Sequence, residues 1–233
     1  MTVVSEIASN LESVRETIFQ AAADSDRSPS SVTLIGVSKQ QPDDRIEASL
    51  AAGLRVFGEN RVQEAETRWG QRRKQIPNLE LHLIGPLQTN KVRAAVRLFD
   101  VIQTVDRPRI AETLSRAMAE EGRRLICYVQ VNTGEEKQKA GIPPNEVEAF
   151  VKACIEDYRI SVTGLMCIPP AADAPAPHFA FLKAMADRLK LPNVSMGMSA
   201  DYPAAIQLGA THIRVGSAIF GNRPPHSSSI SSI

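Results

Sequence analysis

A lysine follows directly on the first apolar run of the sequence and is the first candidate for covalent chemistry. Lys39 lies two residues beyond Val37, the last residue of the run 32–37. If side chains keep alternating along this segment, the Lys39 amine faces the same way as Ile35 and Val37. An ammonium over such an apolar floor is poorly solvated, which lowers its pKa and frees the amine to attack a carbonyl carbon. The alternative is an ordinary surface lysine in a loop.

Two polar turns near the end of the sequence could bind an anion. Ser199 follows the run 193–196. Gly216 and Ser217 follow the run 212–215, where glycine allows close approach to the backbone and serine lies where a helix would begin. Backbone N–H groups in such turns can hold a phosphate without help from a lysine. Simple helix capping by the two serines is the alternative.

Arg214 lies two residues before Gly216, in a segment that is otherwise small and apolar. A guanidinium is always charged and is costly to bury without an acceptor, which is either a ring nitrogen of a ligand or a carboxylate of the protein. A lysine able to form a Schiff base, a phosphate-binding turn and this arginine together describe a site for pyridoxal 5'-phosphate, hereafter PLP. A class I aldolase that acts on phosphorylated sugars through Lys39 is an alternative without the cofactor.

Eight short apolar runs alternate with amphipathic segments and would position these residues. We predict strands over 32–37, 55–57, 81–85, 101–105, 125–131, 160–165, 193–196 and 212–215. We predict helices over 43–51, 61–75, 89–98, 107–120, 145–154, 178–189 and 202–208, with a last one near Ser217. This alternation calls for a parallel sheet covered on both faces. The predicted fold is therefore of the α/β class, a single (β/α)8 TIM barrel whose sites lie at the carboxyl-terminal strand ends.

The two ends of the sequence carry different patterns. Within residues 1–25, apolar side chains recur at helical spacing and predict an extra N-terminal helix on the barrel: Ile7, Leu11, Val14, Ile18 and Ala21. The barrel domain is expected to span 1–223, followed by a flexible serine-rich tail over 224–233. A doubly wound open sheet is the alternative fold, but the turn 37–42 lacks the glycines that a dinucleotide-binding fold needs there.

Composition excludes several classes of protein. With 27 basic and 26 acidic side chains the net charge is +1, which argues against binding to nucleic acid. No apolar run approaches the roughly 18 residues of a membrane span, and the N-terminus lacks an export signal. Three cysteines without metal-binding or disulfide spacing indicate reduced thiols, a cytoplasmic location and no metal site. We expect a monomer, since no contiguous apolar surface motif requires a dimer.

A series of short motifs follows in fixed order between about residues 32 and 223. They lie at 36–39, 57–60, 62–64, 82–91, 131–132, 136–141, 164–166, 195–199 and 214–221. Through them the sequence resembles the PLP homeostasis proteins, relatives of the N-terminal barrel of alanine racemase. The resemblance implies that Lys39 forms the aldimine with PLP and that Arg214 faces its pyridine nitrogen. It implies phosphate binding by Ser199, Gly216 and Ser217, and a pocket lined further by Asn60, His82 and Met198. A core histidine with a satisfied ring nitrogen is the alternative for His82.

The same resemblance implies a protein that holds PLP and buffers or transfers it, with PLP-dependent apo-enzymes as candidate partners. An arginine keeps the pyridine nitrogen unprotonated, so the ring withdraws electrons less strongly. Racemases with this arrangement use a second base from another domain, for which a sequence ending at Ile233 leaves no room. We therefore expect no catalytic activity, with a PLP-dependent racemase or decarboxylase as the alternative. Lys139 has no assigned role, and the proline-rich loop 168–177 is expected to cover part of the pocket.

Overall fold

Eight parallel strands close into a barrel in the order in which they occur along the sequence. The computed structural model describes residues 2–222, so the predicted tail 224–233 lies outside the described residues. The strands are β1 (Thr33–Val37), β2 (Val56–Glu59), β3 (Glu80–Leu83), β4 (Val101–Val105), β5 (Ile126–Val131), β6 (Ser161–Cys167), β7 (Asn193–Met198) and β8 (His212–Val215). Each strand pairs with the next one, and β8 pairs with β1, which confirms the predicted TIM barrel.

Helices surround the barrel and account for the amphipathic segments of the sequence. They are α1 (Val3–Ala23), α2 (Asp43–Ala51), α3 (Val62–Trp69), α4 (Arg72–Gln75), α5 (Val92–Leu98), α6 (Pro108–Glu121), α7 (Val147–Glu156), α8 (Pro175–Arg188), α9 (Tyr202–Gln207) and α10 (Ser217–Phe220). No helix within residues 2–222 is both long enough and apolar enough to cross a membrane.

Side chains of β1 alternate between the barrel axis and the helical layer. A Cβ added to Gly36 would lie 2.5 Å from the Leu54 side chain, so this position faces the helices. Its neighbours Ile35 and Val37 therefore face the axis, because successive strand residues point to opposite faces. The pairing of Ile35 with Arg214 on β8 places both of these residues at the same height in the barrel.

The extra helix α1 precedes the barrel and packs on its outside. Its predicted apolar stripe is buried throughout, over Ile7, Leu11, Val14, Ile18 and Ala21. The helix contacts α2, α9 and α10, which belong to the first unit and the last two units of the barrel. The Asn10 side-chain amide donates a hydrogen bond to the Ile219 carbonyl oxygen at 2.9 Å. The N-terminal helix thus covers the seam where the barrel closes.

Several helix boundaries differ from the sequence prediction, and residue type explains two of the differences. The predicted helix 61–75 is divided into α3 and α4 around Gly70, a residue type that is poor in helix interiors. Helix α8 begins at Pro175, three residues before the predicted start, because proline is well suited to the first turn of a helix. The loop after β6 therefore spans 168–174 and is shorter than the predicted loop 168–177.

Candidate functional site

A cavity of about 620 Å³ opens at the carboxyl-terminal ends of the strands. Its walls are formed by Val37, Lys39, Gln41, Asn60, Ile84, Ile168, Met198, Ser199, Ala200, Arg214, Gly216, Ser217, Gly221 and Asn222. This volume suits a small organic ligand. All of the site residues predicted from the sequence except His82 line this cavity, although they come from four different strand ends.

Lys39 reaches the cavity from a tight turn that follows β1. Both Val37 and Lys39 line the cavity, as the alternation of side chains along the strand predicts. The Ser38 N–H donates to the Gly58 carbonyl oxygen at 3.2 Å, which continues the β1–β2 pairing up to this residue. Gln40 then takes a left-handed conformation with φ of 58°, within a turn closed by the hydrogen bond from the Gln41 N–H to the Ser38 carbonyl oxygen at 3.1 Å. Lys39 is the first residue after β1 to line the cavity, and it is half-buried.

The turns after β7 and β8 meet at the Ser199 hydroxyl. Its Oγ accepts the backbone N–H of Gly216 at 3.1 Å and lies 3.5 Å from that of Ala218. The Met198 N–H donates to Asp201 Oδ1 at 2.6 Å, which fixes the β7 turn. Gly197, with φ of 90°, allows this turn to bend sharply. Hydroxyl and backbone N–H donors therefore converge at one end of the cavity, as a phosphate requires.

Arg214 forms part of the cavity floor and is 4% exposed. Its Nη1 donates to Ser195 Oγ at 2.7 Å, and its Nη2 donates to the Cys167 carbonyl oxygen at 2.8 Å. Burial lowers the pKa of the guanidinium, yet an arginine side chain keeps its proton in proteins. No carboxylate within residues 2–222 forms an ion pair with Arg214, so the alternative of a structural salt bridge is wrong for this range. A buried cation without an anion leaves room for an acceptor on a ligand.

His82 lies below the cavity and is not part of its wall. The side chain is fully buried on β3, with Nε2 2.6 Å from Glu80 Oε1 and Nδ1 2.8 Å from Gln103 Nε2. Ile84, two residues further along the same side of the segment, reaches the cavity instead. The core histidine with satisfied ring nitrogens, the alternative from the sequence, describes this geometry.

Sequence reasoning missed Gln41, which is 4% exposed and lines the cavity beside Lys39. The side-chain Oε1 of Gln41 is buried and accepts no hydrogen bond. An unsatisfied buried acceptor is costly unless a ligand supplies a donor.

Asn60 follows β2 directly, and a Cβ on Gly85 would overlap the Asn60 backbone. Glycine at position 85 therefore allows the close packing that holds Asn60 at the rim.

The proline-rich loop 168–174 contributes only Ile168 to the described cavity wall. Lys139 Nζ forms an ion pair with Glu136 at 2.6 Å and donates to the Pro169 carbonyl oxygen at 3.3 Å. Lys139 thus ties the loop after β5 to the loop after β6.

The three cysteines are buried and take no part in the cavity wall. Burial raises the pKa of each thiol to about 12, so all three are protonated at neutral pH: Cys127, Cys154 and Cys167. Within residues 2–222 no cluster of three or more histidine, cysteine, aspartate or glutamate side chains could hold a metal ion. The thiols of this part of the protein therefore serve packing.

The chemistry of the site fits one compact ligand. Serine hydroxyls and backbone N–H groups suit a phosphate, the buried guanidinium suits a neutral ring acceptor, and the lysine amine suits a carbonyl group. The unsatisfied Gln41 oxygen leaves one acceptor for a donor of that ligand. These properties match PLP, which carries all of the required groups on one ring.

Comparison with known proteins identifies the family of this chain. Residues 7–224 match the family model described as alanine racemase, N-terminal domain. The pyridoxal phosphate homeostasis protein of Escherichia coli K12 is 38% identical over 229 residues, which cover 94% of this chain and 98% of that protein. Its counterpart in Aquifex aeolicus is 35% identical over 222 residues, covering 91% of this chain and 96% of that protein.

Solved structures show the same similarity. PipY of Synechococcus elongatus PCC7942 with PLP bound has a TM-score of 0.79 at 38% identity and covers 92% of this chain and 100% of that chain. An alanine racemase of Clostridium difficile 630 shares the fold at 15% identity, with a TM-score of 0.72 over 95% of this chain and 58% of the racemase chain.

Proposed function

The chain belongs to the pyridoxal phosphate homeostasis proteins, within the alanine racemase N-terminal domain family, and from this premise we propose that its barrel cavity holds PLP for storage and delivery. The observation that carries the proposal is the meeting of three groups in one cavity. Lys39, the turn of Ser199 with Gly216, and Arg214 lie far apart in the sequence and line the same 620 Å³ space.

Each of these groups has a separate role in the proposal. Lys39 supplies the amine for covalent attachment, and bound PLP supplies the aldehyde that such an amine can hold. Ser199, Gly216 and Ser217 bind the phosphate through hydroxyl and backbone N–H donors. Arg214 donates to the pyridine nitrogen from the floor. Asn60 and Met198 flank the ligand, whereas His82 acts from below without touching it.

The cavity wall favours a carrier over a catalyst. Among its described residues only Lys39 and Arg214 are titratable, and the arginine cannot act as a base at neutral pH. A racemase or decarboxylase needs a further acid or base beside the cofactor. Tyr128, which packs against Val101 and Met166, is 1% exposed, and burial raises its pKa above the ordinary value. Storage of PLP needs no such group.

The primary test removes the proposed attachment point. Lys39→Ala is expected to abolish the visible absorbance of bound PLP and the adduct that borohydride fixes to the protein. Lys91→Ala is the matched control, because Lys91 is a partly buried lysine of the same barrel rim that does not line the cavity. Absorbance and mass spectrometry of the reduced peptides are the measurements. An adduct that persists at wild-type yield in Lys39→Ala would refute the role of Lys39.

The enzymatic alternatives give different results. A racemase or decarboxylase of the same cofactor would exchange the α-proton of free amino acids or release carbon dioxide. An aldolase would show no chromophore, but a borohydride-trapped adduct with a sugar phosphate on Lys39. We expect neither result with a panel of amino acids and sugar phosphates.

We further propose that the protein acts in the cytoplasm as a monomer and passes PLP to PLP-dependent apo-enzymes. Recovery of activity by an apo-enzyme mixed with the loaded protein measures transfer, and a rate no faster than release into buffer would refute direct delivery. Light scattering of the protein as it elutes from a sizing column measures its molar mass, and the mass of a dimer would refute the monomer.

A further inference from the structure

A continuous line of polar side chains crosses the interior of the barrel below the cavity. Its members, here called the relay, are Glu80 and His82 on β3, Gln103 on β4, Ser195 on β7 and Arg214 on β8. The last four are each no more than 4% exposed. Barrel interiors are usually filled by branched apolar side chains, and buried polar groups are costly unless they are hydrogen-bonded. The relay therefore departs from the ordinary packing of this fold and needs a reason.

The hydrogen-bond distances join the relay without a break. Arg214 Nη1 lies 2.7 Å from Ser195 Oγ, and this oxygen lies 2.7 Å from Gln103 Oε1. The Gln103 side chain then spans the axis, because its Nε2 lies 2.8 Å from His82 Nδ1. His82 Nε2 lies 2.6 Å from Glu80 Oε1, at the amino-terminal end of the barrel.

The chemistry of the two ends fixes the direction of every bond. An arginine can only donate, so the Ser195 oxygen accepts from Arg214 and its hydroxyl hydrogen goes to Gln103 Oε1. The Gln103 amide nitrogen must then donate to His82 Nδ1, which therefore carries no hydrogen. His82 holds its hydrogen on Nε2 and donates it to the carboxylate of Glu80. One pattern of donors and acceptors joins all five side chains, and its direction runs from the cavity to the opposite barrel end.

This fixed direction restricts the Arg214 guanidinium. Ser195 holds Nη1 from β7 on one side, and the Cys167 carbonyl oxygen holds Nη2 from β6 on the other. The remaining N–H groups are the donors left for a ligand in the cavity above. If Ser195 could not donate its hydroxyl hydrogen to Gln103, the hydroxyl would compete with the guanidinium for hydrogen-bond acceptors. The guanidinium could then rotate.

We propose that Ser195, Gln103 and His82 are positioning residues for the cofactor, which hold the Arg214 guanidinium in the orientation that meets the PLP ring nitrogen. This inference rests on the proposed function. None of the three lines the cavity, so they act through Arg214 alone. His212, whose ring centroid is 6.0 Å from that of His82, bonds to Tyr128 and stands outside the relay.

The test breaks the relay at two points distant from the ligand. Ser195→Ala removes the hydroxyl, and Gln103→Met keeps the side-chain length but removes both polar ends. Thr104→Val is the matched control, because Thr104 is equally buried on β4 but donates to the Gly85 carbonyl oxygen at 2.9 Å instead of joining the relay. The measurements are the Kd for PLP, the visible spectrum of bound PLP as a function of pH, and the melting temperature of the PLP-free protein.

We expect both relay variants to bind PLP about tenfold more weakly and to shift the spectrum, since a hydrogen bond that orients a charged donor is lost. Thr104→Val should keep the wild-type Kd and spectrum, whether or not its melting temperature changes. Relay variants with unchanged Kd and spectrum, and only a lower melting temperature, would overturn the proposal.

A second measurement uses the intact protein and needs no variant. Nitrogen NMR of the His82 ring should show the hydrogen on Nε2 and none on Nδ1, and the reverse assignment would overturn the direction of the relay. A wild-type protein that binds no PLP would instead refute the proposed function.

Discussion

Lowering the pH should destabilise this protein through His212, which lies at the start of β8. Burial lowers the pKa of this histidine from 6.5 to about 4, and the neighbouring His82 adds to the effect while Glu80 opposes it. Its ring Nε2 lies 3.1 Å from the Tyr128 hydroxyl, and its Nδ1 lies 2.9 Å from Thr211 Oγ1. The folded protein therefore keeps this ring neutral at pH values where the unfolded chain binds a proton.

The sign and size of the effect follow from proton linkage. Because the pKa is lower in the folded state, the stabilisation is present above pH 6.5 and is lost as the pH falls toward 4. The whole shift corresponds to about 3 kcal/mol of unfolding free energy. Between pH 7 and pH 5, linkage for this single group predicts a loss of about 2 kcal/mol.

The assay compares the wild type with His212→Gln, which has no titrating ring but can still bond to Tyr128. Urea unfolding of the PLP-free protein is followed by the fluorescence of Trp69, the one tryptophan of the sequence, which is fully buried. Between pH 7 and pH 5 the wild type should lose about 2 kcal/mol more than the variant. Equal losses in the two proteins would show that His212 does not titrate as its burial requires.

Two further predictions concern the barrel wall and the thiols. Arg68→Ala should lower the free energy of unfolding by about 3 to 5 kcal/mol, because it leaves the fully buried Glu59 carboxylate without the guanidinium that lies 3.1 Å from it. Urea unfolding measures the change, and a loss below about 1 kcal/mol would contradict the importance of this pair. In the native protein, iodoacetamide should label none of the cysteines, whose pKa values are raised to about 12, whereas urea should expose all of them: Cys127, Cys154 and Cys167. Rapid labelling without urea, measured by mass spectrometry, would contradict their burial.

The predicted site depended on position relative to strand ends, and a predicted side chain lines the cavity where one strand alone sets that position. Lys39 faces the cavity because the alternation of Ile35 and Val37 continues through the next turn. His82 has the same sequence signal of a polar residue near a strand end, yet β3 ends one residue later and leaves it inside the barrel. The height of a residue in a barrel depends on the stagger of all strands, which no single segment contains.

Sequence by itself determined the order of strands and helices, the buried stripe of α1 and the candidate set of lysine, arginine and serines. These depend on periodicity and residue type, which are local properties. Only the tertiary structure decided that Gln103 reaches across the axis to Ser195, that Gln41 leaves a buried oxygen unsatisfied, and that Arg214 has no carboxylate partner in residues 2–222. Such contacts join residues up to 92 positions apart, and closure of the barrel alone brings them within hydrogen-bonding distance.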